Sequence, residues 1–156
     1  MDKTFKIINE ILFWREKLKL PFFLINTDNK TQYAAFVTYT NLIYQNQKTN
    51  IPMLSINLKY FHQQPFITII KTLFHEFGHI YYNTLLNPKN KIHAEYLAEI
   101  YMLKKIKKYF PMMYSQLFIS GIETIMDKKW QKKYPIHYKA YKKIYAQKTS
   151  KTKIKK

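Results

Sequence analysis

Apolar and polar residues follow two different spacings along this chain. Residues 4–19 have apolar side chains at every third or fourth position, which predicts an N-terminal amphipathic helix. Short runs rich in β-branched and aromatic residues come next, separated by polar stretches, and such runs are typical of strands. We therefore expect three or four short antiparallel strands after the first helix. These runs are residues 22–25, 33–39, 41–45 and 51–58.

The second half of the chain has helical spacing throughout. Residues 67–81 are apolar on nearly every side, as in a buried helix, and Pro65 fits the first turn of that helix. The segment 87–90 is expected to end it and to open a second helix, with Asn90 as the N-cap. The predicted fold class is α+β. The remaining helices are predicted at 91–109, 112–126 and 136–147.

The buried helix contains the segment His75-Glu76-Phe77-Gly78-His79, an HExxH arrangement. Residues four apart lie one turn from each other on the same face of a helix, so both imidazoles can reach one metal ion. Glu76 lies roughly 100° around the helix from His75, next to the position of a metal-bound water. Because this spacing is found in zinc peptidases, the motif predicts a Zn²⁺ site with two histidine ligands and Glu76 as the catalytic base.

A catalytic zinc usually has three protein ligands and one open position, so a third donor is expected on another element. Glu95 and Glu99 are four residues apart, and a tight helical hairpin would bring Glu95 opposite His79. Glu95 is then the predicted third ligand, while Glu99 accepts a hydrogen bond from a ligand histidine and sets its tautomer. His93 is the alternative third ligand, unless it faces the substrate or is an ordinary polar residue of the first turn.

Gly78 lies inside the predicted motif helix, where glycine costs about 1 kcal/mol relative to alanine. A side chain beside His79 would occupy space that a neighbouring element could use. We therefore expect a strand or the second helix to approach the motif helix closely at this residue.

The segment HEFGH, followed by Glu95-x-x-Ala98-Glu99-x-Tyr101, resembles the ImmA/IrrE-like metallopeptidases, a compact branch of the gluzincins. Residues 33–37 and 51–57 look like the strands that precede the active-site helix in that family. The resemblance implies a minimal zincin fold, in which the HExxH helix pairs with a glutamate-donating helix and further helices follow. It implies zinc ligands at His75, His79 and Glu95, the base at Glu76 and an outer partner at Glu99. Two departures from the family pattern are Glu99, where Asp or Asn is usual, and Met-Leu-Lys-Lys at 102–105, where Leu-Leu-Met-Pro is common.

Length and composition bound the remaining possibilities. The chain of 156 residues is predicted to form one domain over residues 1–149, followed by a lysine-rich disordered tail at 150–156. It has no cysteine, which excludes disulfides and thiolate metal sites and suits a reducing compartment. Neither a signal peptide nor a run of 18 apolar residues is visible. We therefore expect a cytoplasmic protein that does not interact with membranes.

The net charge of +18 comes almost entirely from lysine, because Arg15 is the one arginine among 27 basic residues. Between Lys128 and Lys156 there are 12 lysines and no acidic residue, and tyrosines 138, 141 and 145 share one helical face. This segment could bind nucleic acid or another anionic partner. We favour instead a helix that packs its tyrosines on the core while its lysines are solvated.

These observations leave two hypotheses. The first is a zinc endopeptidase that cleaves a specific intracellular protein, such as a regulatory protein, with Glu76 assisting the attack of a zinc-bound water and a tyrosine or His93 stabilising the oxyanion. The second is a non-catalytic zincin fold that zinc stabilises and that acts as a regulatory or nucleic-acid-binding module.

Overall fold

The computed structural model describes residues 3–26, 34–44, 47–84 and 90–152 of the chain. An N-terminal helix, a small sheet and a set of C-terminal helices lie within these residues, which confirms the predicted α+β class. The strands are β1 (Phe23–Asn26), β2 (Ala35–Tyr44) and β3 (Gln47–Ile56). The helices are α1 (Lys3–Leu18), α2 (Leu58–Gln63), α3 (Phe66–Tyr82), α4 (Lys91–Tyr109), α5 (Pro111–Met126), α6 (Lys128–Lys133) and α7 (Pro135–Thr152).

The sheet has the strand order β1-β3-β2, so β3 is central and β2 forms an edge. β2 and β3 are antiparallel, with Ala35 paired with Ile56 at one end. β1 runs parallel to β3, so the prediction that all strands are antiparallel is wrong. Alternation of apolar and polar residues has the same period in both kinds of pairing, and it therefore contains no information about strand direction.

Two of the predicted strands are one strand in the structure. The segments 33–39 and 41–45 join in β2, apart from residues 33 and 45, which lie outside the described residues. The polar residue Asn41, which suggested a break, pairs with Asn50 of β3, and both are exposed. Likewise, residues 47–50 of the polar stretch that was predicted to precede the last strand are part of β3, and residue 46 lies outside the described residues. Polar side chains are tolerated at Thr49 and Asn50 because both are exposed.

α3 forms the centre of the hydrophobic core. Ile70, Leu73, Phe74 and Phe77 on this helix have no exposed surface. α1 packs against it through Trp14, whose ring lies edge-on to Phe74 with 4.9 Å between the ring centroids. Burial of such aromatic pairs is a large apolar contribution to stability, which explains why the predicted N-terminal helix is present.

α3 and α4 form the helical hairpin that the sequence predicts. α3 ends just before Asn83, a residue in the left-handed conformation with φ of 50°, which asparagine adopts more readily than most residues. The observed end of α3 comes before the end that the sequence predicts at 87–90. Residues 85–89 lie outside the described residues. Asn90 is the N-cap of α4, as predicted, and its side-chain oxygen accepts a hydrogen bond of 3.0 Å from the His93 backbone N–H.

Close packing of α3 on α4 depends on Gly78. A Cβ atom at this position would lie 2.7 Å from the Cα and 2.9 Å from the carbonyl oxygen of Ala98, closer than van der Waals contact allows. The close approach that the glycine suggested is therefore present, and the neighbour is α4. It brings the turn of α4 that includes Glu95 and Glu99 against the motif helix.

α5, α6 and α7 complete the fold beside α4. Pro111 and Pro135 are the first residues of α5 and α7, one residue before the predicted starts. The short helix α6 was not predicted, and Asp127 caps it by accepting hydrogen bonds from two backbone N–H groups of its first turn. α7 continues through Thr152, into the segment predicted as a tail, and residues 153–156 lie outside the described residues.

The tyrosines of α7 pack into the core. Tyr141 is 8% exposed and Tyr145 is fully buried, whereas Lys139, Lys142 and Lys143 are exposed. This agrees with the interpretation of α7 as a packed helix with a solvated lysine face. None of the helices in the described part of the chain combines the length and apolarity that crossing a bilayer requires.

Candidate metal centre

Three side chains from two helices meet at the α3–α4 interface. His75 and His79 lie one turn apart on α3, and Glu95 faces them from α4. The Nε2 atom of His75 is 3.1 Å from Oε2 of Glu95, and Nε2 of His79 is 3.6 Å from its Oε1. One donor atom from each residue lies within 4.8 Å of the other two. The structure thus brings together the three residues predicted as ligands.

The distances from the two histidines to Glu95 are compatible with a metal site. Two ligands held about 2.0–2.1 Å from a tetrahedral ion lie roughly 3.3 Å apart, and the distances to Glu95 of 3.1 and 3.6 Å lie on either side of that value. The three side chains are 12%, 5% and 16% exposed in chain order, so each is largely shielded from water. Two imidazoles and one carboxylate suit zinc and leave one coordination position for a substrate or water. These residues could therefore hold one metal ion.

Each histidine has a hydrogen-bond partner on its second ring nitrogen. His75 Nδ1 is 3.0 Å from Oε2 of Glu99, and His79 Nδ1 is 2.8 Å from Oγ1 of Thr84. Such partners orient the ring and keep Nε2 available for a metal. Glu99 thus lies where it was predicted, behind a ligand histidine. Thr84 was not predicted, because it follows the end of α3 and no periodic pattern marks it.

Glu99 is a fully buried carboxylate that contacts two helices. It is hydrogen-bonded to Nδ1 of His75 on α3. It also accepts a hydrogen bond from the Tyr145 hydroxyl of α7. Burial opposes ionisation, but the hydrogen bond and charge of His75, together with Lys71 and Tyr145, lower the pKa of Glu99 below its ordinary value. An ionised carboxylate is consequently fixed beside His75.

His75 and its two carboxylate partners attract one another strongly. Burial by itself would lower the pKa of His75, but the hydrogen bonds to Glu95 and Glu99 outweigh it and raise this pKa to about 10. Burial also opposes the charge of Glu95, yet its hydrogen bonds to His75 and His79 hold its pKa far below the ordinary value. A metal ion binds neutral imidazole, so it has to displace the His75 proton.

Glu76 lies next to the centre and also contacts the sheet. It has a backbone hydrogen bond with Val37 of β2 and lines a cavity of about 180 Å³ together with His75. Burial raises the pKa of Glu76, and the nearby His75 and His79 offset only part of that effect. A carboxylate whose pKa is raised by burial, beside a candidate metal site, suits proton transfer.

A third histidine, which was not selected from the sequence, reaches the centre from α7. The Nε2 atom of His137 is 3.2 Å from Oε2 of Glu95, and its side chain is 38% exposed. His137 is outside the group of donor atoms that lie within 4.8 Å of one another, so it stands beside the metal position. One available signal was its spacing, because His137, Tyr141 and Tyr145 repeat every four residues along one face of α7.

His93 does not join the centre. It lies two residues before Glu95, or roughly 200° around the helix, so the two side chains face different directions. The His93 side chain is exposed, and its ring stacks on Tyr96 with 6.1 Å between centroids. The structure therefore does not support His93 as the third ligand. A role of His93 towards the substrate stays a prediction.

Two cavities border the centre. The first is the cavity of about 180 Å³ that His75 and Glu76 line, and the second, of about 280 Å³, is lined by Glu95. His137 lines both of them. Each of the two cavities is therefore lined by one of the candidate ligands.

Comparisons of this chain with protein-family models, with curated proteins and with solved structures give no match. The centre is accordingly interpreted from the distances, burial and charges of its own side chains.

Proposed function

We propose that the protein is a zinc-dependent endopeptidase that hydrolyses a peptide bond in a specific intracellular protein. The observation that carries this proposal is the position of Glu76 beside the group His75, His79 and Glu95, facing the same cavity as His75. A purely structural zinc site usually has four protein ligands, whereas three ligands with an adjacent carboxylate favour catalysis. We also propose that the protein is related to the ImmA/IrrE-like metallopeptidases, which its motif resembles. We propose a cytoplasmic location for it as well.

A zinc ion held by these residues would lower the pKa of a water molecule towards about 7 and polarise the carbonyl of the scissile bond. Glu76 takes a proton from the attacking water and then delivers it to the nitrogen of the leaving amine. Burial raises the pKa of Glu76, which makes its carboxylate a better proton acceptor than an ordinary glutamate.

His137 is suited to hydrogen-bond the reacting carbonyl oxygen. It stands beside Glu95 and lines both cavities, so it is the α7 histidine next to the proposed site of cleavage. Burial lowers the pKa of His137, although Glu95 opposes this, and the neutral ring has one N–H group, which can be donated to the substrate oxygen when it is turned away from Glu95. A donor at this place would stabilise negative charge that develops on the oxygen. Among the residues that could do so, His137 is better placed than His93.

The edge strand β2 offers a way to present the substrate. β2 is paired only on its β3 side in the described sheet, and its residue Val37 is the one that contacts Glu76. An extended peptide that added to this edge would run past the catalytic carboxylate with its backbone hydrogen-bonded.

The variant Glu76→Gln tests this proposal. It keeps the size of the side chain and leaves the three candidate ligands intact, so the protein should still bind one zinc per chain. Cleavage should fall by a factor of about 100 or more, because glutamine cannot accept the proton. The measurement is cleavage of a proteome-derived peptide mixture by the zinc-loaded enzyme, followed by mass spectrometry, beside a zinc assay of each variant.

Glu123→Gln is the matched control, since Glu123 is an exposed residue of α5 away from the centre. It should retain both zinc and activity. If Glu76→Gln cleaved the same peptides at the rate of the parent, the proposed role of Glu76 would be wrong. If the zinc-loaded parent cleaved none of them, the proposed endopeptidase function would be contradicted.

A further inference from the structure

The cavity of about 280 Å³ beside Glu95 has walls from two parts of the chain. Lys91 and Ala94 come from the first turns of α4, and Lys133 comes from the end of α6. Pro135 and His137 of α7 complete the wall on that side. We call this space the α4–α7 cavity. It begins at a candidate metal ligand, so a side chain next to the scissile bond would enter it.

Neither lysine of the cavity has an acidic partner within the described residues. Every ion pair there joins a histidine to Glu95 or Glu99. The ammonium group of Lys133 lies 5.1 Å from the centre of the Tyr134 ring, and Tyr134 is itself part of the cavity wall. This contact places the ammonium group of Lys133 beside a residue of the cavity wall.

Glu95 is the one carboxylate of the α4–α7 cavity among the described residues, and histidines already surround its negative charge. Its two oxygens face His75, His79 and His137, and a bound divalent ion would add net positive charge even after His75 loses its proton. Lys91 and Lys133 are therefore the charged groups of the cavity wall that have no acidic partner among the described residues. Ala94, Pro135 and Ile136 supply an apolar surface between them, which suits the methylene groups of an acidic side chain.

We propose that the α4–α7 cavity is a substrate subsite for an acidic side chain, glutamate in particular, adjacent to the bond that is cleaved. The inference rests on the proposed peptidase function and specifies its substrate class. Lys91 and Lys133 are the specificity residues: their ammonium groups bind the carboxylate while the apolar wall packs on the side-chain carbons. The substrate is accordingly a protein segment with a glutamate next to the scissile bond.

A pair of short peptide hydroxamates tests the subsite without a known substrate. One carries a glutamate side chain next to the zinc-binding group and the other carries glutamine, which has the same shape without the charge. Their affinities for the zinc-loaded protein are measured by calorimetry. Two exposed ion pairs are worth roughly five- to tenfold in affinity at moderate salt, so the glutamate compound should bind more tightly by that factor.

Two double variants separate the subsite from the general positive charge of the chain. Lys91→Gln with Lys133→Gln should abolish the preference for glutamate and leave the glutamine compound unaffected. Lys142→Gln with Lys143→Gln removes the same charge from exposed positions of α7 outside the cavity wall, and it should keep the preference.

The possible results distinguish the two proposals. Equal affinity of both hydroxamates for the parent, or an equal loss of preference in both double variants, would overturn the subsite while the metal centre stands. If neither hydroxamate bound the zinc-loaded protein, the proposed metallopeptidase function would be contradicted, and the subsite with it.

Discussion

Glu99 is stabilised from two sides, and this arrangement links the metal centre to the C-terminal helix. Its Oε2 atom faces His75 on α3, and its Oε1 atom accepts the hydrogen bond of Tyr145 on α7. Gly121 of α5 makes room for Tyr145, because a Cβ atom at Gly121 would overlap the tyrosine ring and lie 2.8 Å from its hydroxyl oxygen. The orientation of His75 therefore depends on a tyrosine that has no contact with the metal position.

The variant Tyr145→Phe removes only the hydroxyl group and keeps the ring that fills the space beside Gly121. Without this hydrogen bond Glu99 is less firmly held, and so is the His75 ring. We expect zinc affinity to fall about three- to tenfold, less than for loss of the direct partner of a ligand histidine, because Tyr145 acts through Glu99. Zinc titration monitored with a competing chelator measures it.

Tyr138→Phe is the control for this variant, because Tyr138 belongs to the same helix and is only half-buried. It should leave zinc affinity within about twofold of the parent. If Tyr145→Phe bound zinc as tightly as Tyr138→Phe does, the Tyr145 hydroxyl would have no part in positioning His75.

Zinc binding should release a proton from His75. The pKa of about 10 means that His75 is protonated at pH 8, and a metal ligand has to be neutral. We expect close to one proton released per zinc at pH 8, and an apparent affinity that rises about tenfold per pH unit until the pH approaches 10. Calorimetry at pH 8 in two buffers of different ionisation enthalpy gives the number of protons. A binding heat that is independent of the buffer would contradict this account of His75.

At the scale of helices and strands, the α3–α4 hairpin is the element pair on which the centre depends. Gly78→Ala places a methyl group against the backbone of Ala98, which cannot move aside without separating the two helices. Alanine favours a helix more than glycine by about 1 kcal/mol, so any loss of stability must come from this contact. We expect the free energy of unfolding of the metal-free protein to fall by roughly 2 kcal/mol in chemical denaturation.

Ser115→Ala, at an exposed position of α5, should change the free energy of unfolding by less than about 0.5 kcal/mol. This control measures how an alanine substitution changes stability at a helix position that is not closely packed. A Gly78→Ala variant as stable as the parent would show that the α3–α4 contact is not close enough to exclude a methyl group.

The helices and the hairpin could be predicted from the sequence because each has a local signal. Asn90 marks the start of α4 by its capping side chain, and the helical spacing places Glu95 and Glu99 on one face. The direction of β1 could not be predicted, since alternation is the same in parallel and antiparallel sheets. The short helix α6 was also missed, because its six residues contain only one apolar side chain, Trp130.

The candidate site was predictable to the extent that its residues are close together in the sequence. His75, Glu76, His79 and Glu95 fall within 21 positions, and one hairpin brings them together. His137 and Tyr145 approach the same centre because α7 packs on α4, and their spacing marks a shared face of α7 without indicating which helix that face contacts. His93 seemed an alternative to Glu95 because both lie at the start of α4, but helix geometry directs them differently.

The whole molecule carries a net charge of +18, because the chain has 27 lysine and arginine residues and only nine acidic residues. Three of the nine acidic residues lie in or beside the metal centre, so the surface is strongly basic. The burial of Tyr141 and Tyr145 leaves α7 without those two aromatic rings for stacking on bases, which makes a nucleic-acid-binding role less favourable than the peptidase proposal. An acidic substrate would benefit from the same surface charge through faster association.

The central claim is that His75, His79 and Glu95 hold one divalent metal ion, and zinc titration of the purified metal-free protein tests it most directly. We predict one zinc per chain for the parent and for His93→Ala, and an affinity at least about 100-fold weaker for Glu95→Ala, whose fold is checked by circular dichroism. Zinc binding that survives Glu95→Ala unchanged but is lost in His93→Ala, or a folded parent that binds no zinc at all, would contradict the account.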